Sequence, residues 1–364
     1  MARIVGINLA KNGSLAIIQD GHIEFYLEEE RVTRVKRDVS AETLANKYID
    51  SSVDVVTICD CFTRYNKKTF RERTEAKNKL LKIVRAKGIP FVDYRKRHHE
   101  CHAASVWYTS PFEDAAVVVM DGKGSYHDGY CEVESIYDNM TPVFKHYSTF
   151  YSEEESALEG EPHWIDGNLY SNRTSIGQAF RRVSRYCGFD EIEAGKTMGL
   201  SAYGSGDINL FNEEYGHSLC STQLKPEGNT TAYVGPKLQP EDLAYNLQKS
   251  AERHTLFMIK KAVELTNKKN VCLSGGFFLN CVSNYSILKN TDVNLYVDPI
   301  AYDGGIAIGS ALLEYYEHFC DRPRPYRIST VLACQTHCQD AIRNMSNACH
   351  CSIGEVGSWF WYIT

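Results

Sequence analysis

Three short runs of apolar residues open the chain, and a turn-forming pair of residues separates each run from the next. The runs are RIVGIN (3–8), SLAIIQ (14–19) and HIEFYLE (22–28), with Asn-Gly at 12–13 and Asp-Gly at 20–21 between them. Asn-Gly and Asp-Gly are strong hairpin signals, because tight hairpin turns need residues that tolerate a positive φ. The pattern therefore predicts three antiparallel strands in a meander.

The same order of elements then occurs a second time. After the first meander, the pattern predicts a helix, the strand VDVVTIC, an amphipathic helix over about 66–87 and the strand IPFVDY. A second meander begins with AAVVVMDG (115–122), and a long helix over about 242–268 leads to the strand NVCLS, a helix, the strand NLYVDP and a final apolar helix. Strands that alternate with helices indicate an α/β fold, here with two duplicated lobes and a central cleft.

We place the lobes at about residues 1–112 and 113–320. The stretch over about 151–240 is polar and rich in Gly, Ser, Glu and Tyr, and we interpret it as an insertion over the cleft that contains one helix, at 175–189. Residues 321–364 begin with the linker-like DRPRPYRI and are too few for an independent core.

A glycine-containing turn follows the first strand of each unit, LAKNGS at 9–14 and DGKGS at 121–125. Either turn alone is compatible with a simple hairpin. Two such turns across a cleft can hold a phosphate chain through backbone N–H groups, and the duplication favours that hypothesis. It predicts nucleotide contacts from Asn12, Gly13, Gly122, Gly124 and Ser125.

Two further glycine pairs open helices, in SGGFFLNCVSN at 274–284 and in DGGIAIGS from Asp303. Free N–H groups at a helix start attract anions, whereas glycines at a tight strand-to-helix turn can also serve close packing alone. The pairing of the two segments favours a nucleotide wall that includes Gly275, Gly276 and Gly304.

The stretch HHECHAAS (98–105) contains the clearest candidate metal ligands. His98 and His102 are one turn apart if the segment is helical, so one ion can bridge their imidazoles. Asp121 at the end of a predicted strand and Asp303 before a helix are carboxylates at the edge where α/β sheets bind ligands. Such a set suits Fe(II), Mn or Zn, although a polar exposed helix face remains the alternative.

Overall composition limits the function classes. The chain has 364 residues, a formal net charge of −6 and 13 cysteines scattered along its length. No stretch is long and apolar enough to span a membrane, and the start lacks the features of a signal peptide, so we expect a cytoplasmic protein with reduced cysteines and no membrane partner. Nucleic-acid binding would need a local basic patch. The run RYNKKTFRERTEAKNK at 64–79 is a candidate, although a solvated helix face is the favoured interpretation of it.

Taken together, six motifs resemble the O-carbamoyltransferases of the nodulation-protein and antibiotic-biosynthesis type. They are GINLAKNGSLAII, EEERVTRVKRD, HHECHAASVWYTSPFEDAAVVVMDGKGS, EAGKTMGLSAYG, LSGGFFLNCVSN and PIAYDGGIAIGSALL, in family order over about residues 3–316. The resemblance implies an actin-like ATPase fold with ribonuclease H-like lobes, similar to the catalytic domain of the tRNA threonylcarbamoyl transferases. It also implies an iron-type metal site at His98, His102, Asp121 and Asp303.

The resemblance further implies a reaction and its components. A carbamoyl group passes from carbamoyl-adenylate, made from carbamoyl phosphate and ATP, to a hydroxyl of a sugar, an antibiotic or a hydroxymethylated nucleobase or DNA. Gly275, Gly276 and Asn280 would belong to the adenosine wall, and Lys196 in EAGKTMG would contact the phosphate or the carbamoyl group. His127 and Glu30 are the candidates for the base.

Family members continue into a second, YrdC-like domain that makes carbamoyl-adenylate. We interpret 321–364 as a linker and a truncated start of that domain, so we expect a separate YrdC-like domain or chain as partner, and we also allow for a homodimer. Two alternatives stay open, namely a tRNA N6-adenosine threonylcarbamoyl transferase-like enzyme and a non-catalytic nucleotide-binding remnant.

Overall fold

The first β-sheet follows the meander that the apolar pattern predicts. In the computed structural model, β1 (Arg3–Asn8), β2 (Ser14–Gln19) and β3 (His22–Glu28) pair antiparallel. Strands β4 (Val55–Cys59) and β5 (Phe91–Asp93) add in parallel on the other side of β1, so the strand order is β3-β2-β1-β4-β5. The meander strands have the predicted bounds.

The structure describes residues 1–10, 12–61, 67–127, 129–148, 163–171, 175–210, 224–227, 230–233 and 238–320. The predicted linker and second-domain start at 321–364 lie outside these ranges, as do parts of the predicted insertion.

The second sheet repeats the strand order of the first. Its strands are β6 (Ala116–Met120), β7 (Tyr126–His127), β8 (Tyr130–Asp138), β9 (Thr141–Ser148), β10 (His163–Ile165), β11 (Asn168–Ser171), β14 (Asn270–Ser274) and β15 (Asn294–Val297). The path β9-β8-β6-β14-β15 has the same antiparallel and parallel pairings as β3-β2-β1-β4-β5, while β10 and β11 extend it beyond β9 and β7 pairs with β8. A separate hairpin joins β12 (Leu224–Glu227) and β13 (Thr230–Tyr233). The duplicated architecture is confirmed.

Helices cover both sheets and fill the space between them. They are α1 (Glu29–Thr33), α2 (Glu42–Tyr48), α3 (Lys67–Ala86), α4 (His98–Thr109), α5 (Ile176–Tyr186), α6 (Ala194–Leu200), α7 (Pro240–Thr266), α8 (Cys281–Asn290) and α9 (Ile306–His318). Helices α1 and α6 lie in the charged segment 28–38 and the glycine-rich segment 193–204, and the composition of both segments predicts loops. In α6, the buried Thr197 hydroxyl lies 2.6 Å from the Ser184 hydroxyl of α5, and this tertiary contact stabilises a helix that contains two glycines.

Helix α9 returns to the first lobe, although its sequence position groups it with the second. Its residues Ala307, Ile308, Ala311 and Leu312 pack against apolar side chains of β1, β2 and β4. A Cβ atom at Gly6 would lie 1.9 Å from the carbonyl oxygen of Ala307, so this glycine permits the close approach. Since every residue from 306 to 314 is buried, α9 needs apolar neighbours on more than one side, and it finds them in the first sheet and α4.

The core of the second lobe includes part of the predicted insertion. Ile176, Phe180 and Val183 of α5, together with Leu210, are buried against α7 and the second sheet. Within the described ranges, no helix combines the length and apolar character needed to cross a bilayer.

Candidate metal centre and cleft

Four side chains predicted as metal ligands meet between the two lobes. His98, His102, Asp121 and Asp303 each offer one ligand atom, and these atoms all lie within 4.8 Å of one another. His98 Nε2 lies 3.3 Å from Asp121 Oδ2, and both His98 Nε2 and His102 Nε2 lie 3.8 Å from Asp303 Oδ1. Both histidines are fully buried, and Asp303 is the most exposed member of the set. We call these four residues the ligand cluster.

Three chain segments supply the ligand cluster. The histidines occupy the first and second turns of α4, Asp121 follows β6, and Asp303 begins a 3₁₀ turn that leads into α9. Ser125 joins two of these segments, because its hydroxyl accepts a hydrogen bond from the His98 backbone N–H at 3.0 Å and donates one to the Arg95 carbonyl at 3.3 Å. The predicted phosphate-binding turn is thus fastened to the start of α4.

A buried relay orients His102. Its Nδ1 atom lies 3.2 Å from the Ser274 hydroxyl, which donates a hydrogen bond of 3.1 Å to Asp298. Because the Ser274 proton is directed at Asp298, the Ser274 oxygen is an acceptor for Nδ1–H of His102. This assigns the proton of the neutral imidazole to Nδ1 and leaves a lone pair on Nε2, which faces Asp303.

Electrostatic interactions within the ligand cluster favour a protonated His98 beside an ionised Asp121. Burial lowers the pKa of the His98 imidazole, but the hydrogen bond to Asp121 and the charges of Asp303 and Asp121 outweigh it and raise this pKa to about 9. Burial raises the pKa of Asp121, but its hydrogen bond with His98 and the charge of that imidazole outweigh burial and hold the pKa well below its usual range. The Asp121 carboxylate therefore stays charged in a buried place, where it attracts a cation.

Two features of the ligand cluster fit a divalent metal, namely the chemical types of its ligand atoms and a buried nitrogen that lacks a hydrogen-bond partner among the described residues. His102 Nε2 is buried and has no hydrogen-bond partner among the described residues, although it points into the ligand cluster. A buried nitrogen without a partner is costly unless a ligand meets it. Two imidazoles and two carboxylates are the ligand types that Fe(II), Mn and Zn accept.

The turn at 274–276 borders the ligand cluster. Gly275 has φ 102°, and a Cβ there would lie 2.3 Å from the Met120 carbonyl oxygen, so only glycine suits this position. A Cβ at Gly276 would lie 3.2 Å from Asp121 Oδ1. The glycine pair therefore allows the backbone to pack closely against Asp121. Close packing is one of the two roles that the sequence predicts for these glycines, and nucleotide binding is the other.

The Asn280 side chain caps helix α8 and contacts α7. Its Oδ1 accepts the Ser283 backbone N–H at 3.0 Å as an N-cap, and its Nδ2 donates to Gln248 Oε1 at 2.9 Å. The sequence predicted it as a part of the adenosine wall, and the structure adds these two structural bonds.

Both predicted phosphate turns adjoin the ligand cluster. A Cβ at Gly177 in the first turn of α5 would lie 2.8 Å from Gly122 Cα, so the start of α5 packs directly on the 121–125 turn. Gly124 lies against His99, whose ring would be 2.7 Å from a Cβ there. In the first lobe, Asn12 has φ 63°, Gly13 accepts the Glu29 N–H at 2.8 Å, and the next residue, Ser14, donates to the Gly304 carbonyl at 2.8 Å. That bond ties the first turn to the segment that carries Asp303.

The three candidate catalytic residues have other partners. Lys196 is exposed on α6 and forms an ion pair of 2.8 Å with Glu193. The ring of His127 packs edge-on against Tyr147 at 6.0 Å, and Glu30 Oε2 accepts the Arg37 N–H at 2.8 Å. None of the three belongs to the ligand cluster.

The sequence analysis missed a polar group beside Asp303. The Glu28 carboxylate is buried and accepts hydrogen bonds from the Tyr26 and Tyr302 hydroxyls. The alternation in HIEFYLE contains a signal for it: Phe25 and Leu27 face the core, so Tyr26 and Glu28 share the other face. Ser274 and Asp298 carry no comparable signal.

Comparisons with known sequences agree with this arrangement. A family model described as "Carbamoyltransferase N-terminus" matches residues 47–312. Nodulation protein NolNO of Sinorhizobium fredii is 25% identical over 351 residues, which cover 86% of this chain and 47% of that protein. Nodulation protein NolO of Bradyrhizobium diazoefficiens is 29% identical over 245 residues, or 63% of this chain and 39% of that protein. The chain spans about half the length of the curated relatives it matches.

A solved structure shows the same fold. Full-length HypF in the phosphate- and nucleotide-bound form aligns with a TM-score of 0.50 at 14% identity, over 88% of this chain and 47% of that one. With the two repeated sheets, this likeness confirms the predicted actin-like ATPase fold.

Proposed function

Because the chain belongs to the carbamoyltransferase N-terminus family, we propose that it transfers a carbamoyl group to a hydroxyl of a separate acceptor molecule at the ligand cluster. The donor in this proposal is carbamoyl-adenylate, and the acceptor is a sugar, an antibiotic or a hydroxymethylated nucleobase. The acceptor oxygen bonds to the carbamoyl carbon, the bond from that carbon to the phosphate oxygen breaks, AMP leaves with the bonding electron pair, and the hydroxyl proton passes to water. The main support is the convergence of four ligand atoms within 4.8 Å of one another at the cleft.

The ligand cluster would hold Fe(2+) or a similar divalent metal. Such an ion, when bound, supplies a Lewis acid that neutralises developing charge on the carbamoyl and phosphate oxygens. His102 would bind through Nε2, since Ser274 engages its Nδ1, and His98 through the Nε2 that faces both aspartates.

The chain's own backbone would bind the adenylate. The 121–125 turn and the start of α5 pack on each other beside Asp121, and the turn at 12–14 is bonded to Gly304 beside Asp303. Backbone N–H groups at such turns bind phosphate without bringing a charged side chain. The N–H groups of Gly13 and Gly124 already donate to the Asp38 and Glu132 carbonyls at 2.6 and 2.7 Å, so other N–H groups of the two turns would bind the phosphate. Closure of two lobes over the adenylate would limit its hydrolysis by water.

Formation of the donor is a separate reaction. Because this chain spans about half of its curated relatives, we propose that a YrdC-like domain or chain makes carbamoyl-adenylate from carbamoyl phosphate and ATP. A test with the preformed adenylate removes that requirement.

The first experiment is elemental analysis of the chain purified without chelators, beside His98→Ala, Asp121→Asn and the control His22→Ala, which changes an exposed histidine on β3. We expect about one iron, or another divalent ion, per chain in the wild type and the control and a loss in both cluster variants. A wild type that holds no metal and binds no added Fe(2+) would refute the metal part of the proposal.

The second experiment measures AMP release from carbamoyl-adenylate with and without acceptors, namely aminoglycosides, simple sugars, hydroxymethylated nucleosides and tRNA. Acceptor-dependent AMP release together with a carbamoylated product, both lost in Asp121→Asn, supports the transferase. With threonylcarbamoyl-adenylate as the donor in a parallel assay, transfer to tRNA without any carbamoyl transfer from carbamoyl-adenylate would favour the tRNA-modifying alternative. Adenylate binding without any product would indicate a non-catalytic module.

A further inference from the structure

Three consecutive glutamates follow one another at the end of β3, and the structure gives each a different task. Glu29 accepts the Thr43 and Leu44 backbone N–H groups at 2.8 and 3.0 Å, so it caps helix α2. Glu30 accepts the Arg37 N–H. Of the three glutamates, only Glu28 contacts a segment that supplies the ligand cluster, because its partner Tyr302 immediately precedes Asp303.

The segment from Tyr302 to Gly305 is held to the first sheet at two points. The Tyr302 hydroxyl donates to Glu28 Oε1 at the end of β3, and the Ser14 hydroxyl of β2 donates to the Gly304 carbonyl at 2.8 Å. A Cβ at Gly304 would lie 3.1 Å from Glu28 Oε1 and 2.7 Å from the Tyr302 ring, so the contact leaves little room for a side chain. Asp303 lies between these two attachments.

Asp303 is the one member of the ligand cluster that the first sheet holds through these bonds. Asp121 follows a strand of the second sheet, and the Nδ1 atom of His102 is bonded to Ser274 of that same sheet. Two residues before Asp303, the Ala301 carbonyl accepts the Gly275 N–H at 2.8 Å, which bonds the start of the segment to the second sheet. The position of Asp303 relative to the other three ligands therefore depends on how firmly the rest of its segment is attached to the first lobe.

We propose that Glu28 is a positioning residue that acts through Tyr302 to hold Asp303 at the distance needed for metal binding, an inference that rests on the proposed metal site. A phenol that donates to a buried carboxylate makes a charge-assisted hydrogen bond, which is stronger than a neutral one. The Arg31 guanidinium lies 3.8 Å from the other carboxylate oxygen, Oε2, and forms an ion pair with it. Residues that orient a metal ligand typically change metal affinity by about 10–100-fold when they are removed.

Titration with Co²⁺, followed by visible absorption, tests this proposal on the full chain. The variants are Tyr302→Phe, Glu28→Ala and their combination. We expect each single variant to bind Co²⁺ about 10–100-fold more weakly. The ligand-field bands should also change shape, because Asp303 moves relative to the other ligands. The double variant should lose no more than the stronger single variant, since both changes break one connection.

Two controls separate positioning from general stability. Glu29→Ala removes an adjacent buried glutamate that caps α2, and Tyr315→Phe removes a hydroxyl from a tyrosine of α9 whose ring lies against Gly21. Both should leave Co²⁺ affinity and the absorption bands unchanged, even where Glu29→Ala lowers the melting temperature of the metal-free protein.

The outcomes distinguish this inference from the proposed function. A wild type that binds no Co²⁺ refutes the metal site itself. A wild type that binds Co²⁺ while Tyr302→Phe binds it equally well, with the same spectrum, overturns the positioning role and leaves the metal site standing. Tyr302→Phe decides the matter alone if Glu28→Ala does not fold.

Discussion

His98 Nε2 lies 3.3 Å from Asp121 Oδ2, and this contact joins the first turn of α4 to the end of β6. Helix α4 packs against α9 on one side and contacts β6 and β14 on the other, so its histidines stand between the lobes. Asp121 and Asp303 approach them from different segments of the chain. The geometry of the ligand cluster therefore depends on the positions of three chain segments, which are the start of α4, the turn after β6 and the turn before α9. Substitutions can test each of them.

The Ser274 hydroxyl should matter for metal affinity as well as for stability. Ser274→Ala removes the partner of His102 Nδ1 and a donor to Asp298, so the imidazole loses its fixed orientation. We expect metal affinity to fall by about 10-fold or more and the free energy of unfolding to fall by about 1–3 kcal/mol. Ser184→Ala, which removes a buried hydroxyl of α5, is the control and should change stability alone. Equal metal affinities in the two variants would contradict the orienting role.

A side chain at Gly124 should disturb the start of α4. An alanine Cβ would lie 2.7 Å from the His99 ring and 2.9 Å from the Glu132 carbonyl oxygen, so His99 must shift and carry His98 with it. We expect Gly124→Ala to destabilise the protein by about 1–3 kcal/mol in urea unfolding and to weaken metal binding. Gly199→Ala in α6 meets no atom within 4 Å and should be neutral or more stable by about 0.5–1 kcal/mol. Unaltered metal affinity in Gly124→Ala would show that the turn tolerates the added methyl group.

A buried carboxylate in the second lobe should make the free energy of unfolding fall as the pH becomes acidic. Glu134 lies between His254 Nε2 at 2.6 Å and His146 Nδ1 at 3.0 Å, and the other ring nitrogen of His146 lies 2.8 Å from the Ser171 hydroxyl. Burial raises the pKa of Glu134, but the His254 charge and the hydrogen bonds from both histidines lower it to well below its usual range.

Because the pKa of Glu134 is lower in the folded state, its contribution to stability is present above pH 4.5 and is lost as the pH falls towards the folded-state pKa. We expect Glu134→Gln to lower the free energy of unfolding at pH 7 by about 3–5 kcal/mol and to flatten its decline below pH 4.5. Urea unfolding at several pH values measures both effects. Glu75→Gln, in an exposed ion pair with Arg71, should change stability by less than about 1 kcal/mol. Parallel pH curves for wild type and Glu134→Gln would refute this account.

A substitution of Lys196 tests the proposed adenylate site without changing the stability of the protein, because this side chain is exposed. Its ammonium group is exposed, and its hydrogen bond to Glu193 lowers the pKa of that carboxyl, as does the charge of Lys36 from the segment after α1. If Lys196 contacts the adenylate phosphate, Lys196→Ala raises the KM for carbamoyl-adenylate and leaves kcat and the melting temperature unchanged. Lys249→Ala, in a similar ion pair with Glu252, is the matched control. The same KM in both variants would exclude that contact.

Local patterns in the sequence predicted the elements and the ligand cluster well. The turn pairs at 12–13 and 20–21 gave the bounds of β1 to β3, and the spacing of His98 and His102 is a property of one helix. Asp121 and Asp303 were found because ligands gather where strands end and helices begin. The loops predicted over α1 and α6 differ from the structure, since α6 is stabilised by the contact between Thr197 and Ser184, which no local pattern encodes.

Apolar periodicity and turn chemistry act over a few residues, so local sequence is enough to predict the order of strands and helices, the duplication and the four residues of the ligand cluster. The return of α9 to the first lobe, and the contact of Glu28 rather than Glu30 with the segment of Asp303, depend on tertiary packing. The Glu28–Tyr302 hydrogen bond joins residues 274 positions apart, and Ser274 lies 172 positions from His102. Such contacts follow from how the two lobes pack, and packing depends on the whole set of buried surfaces at once.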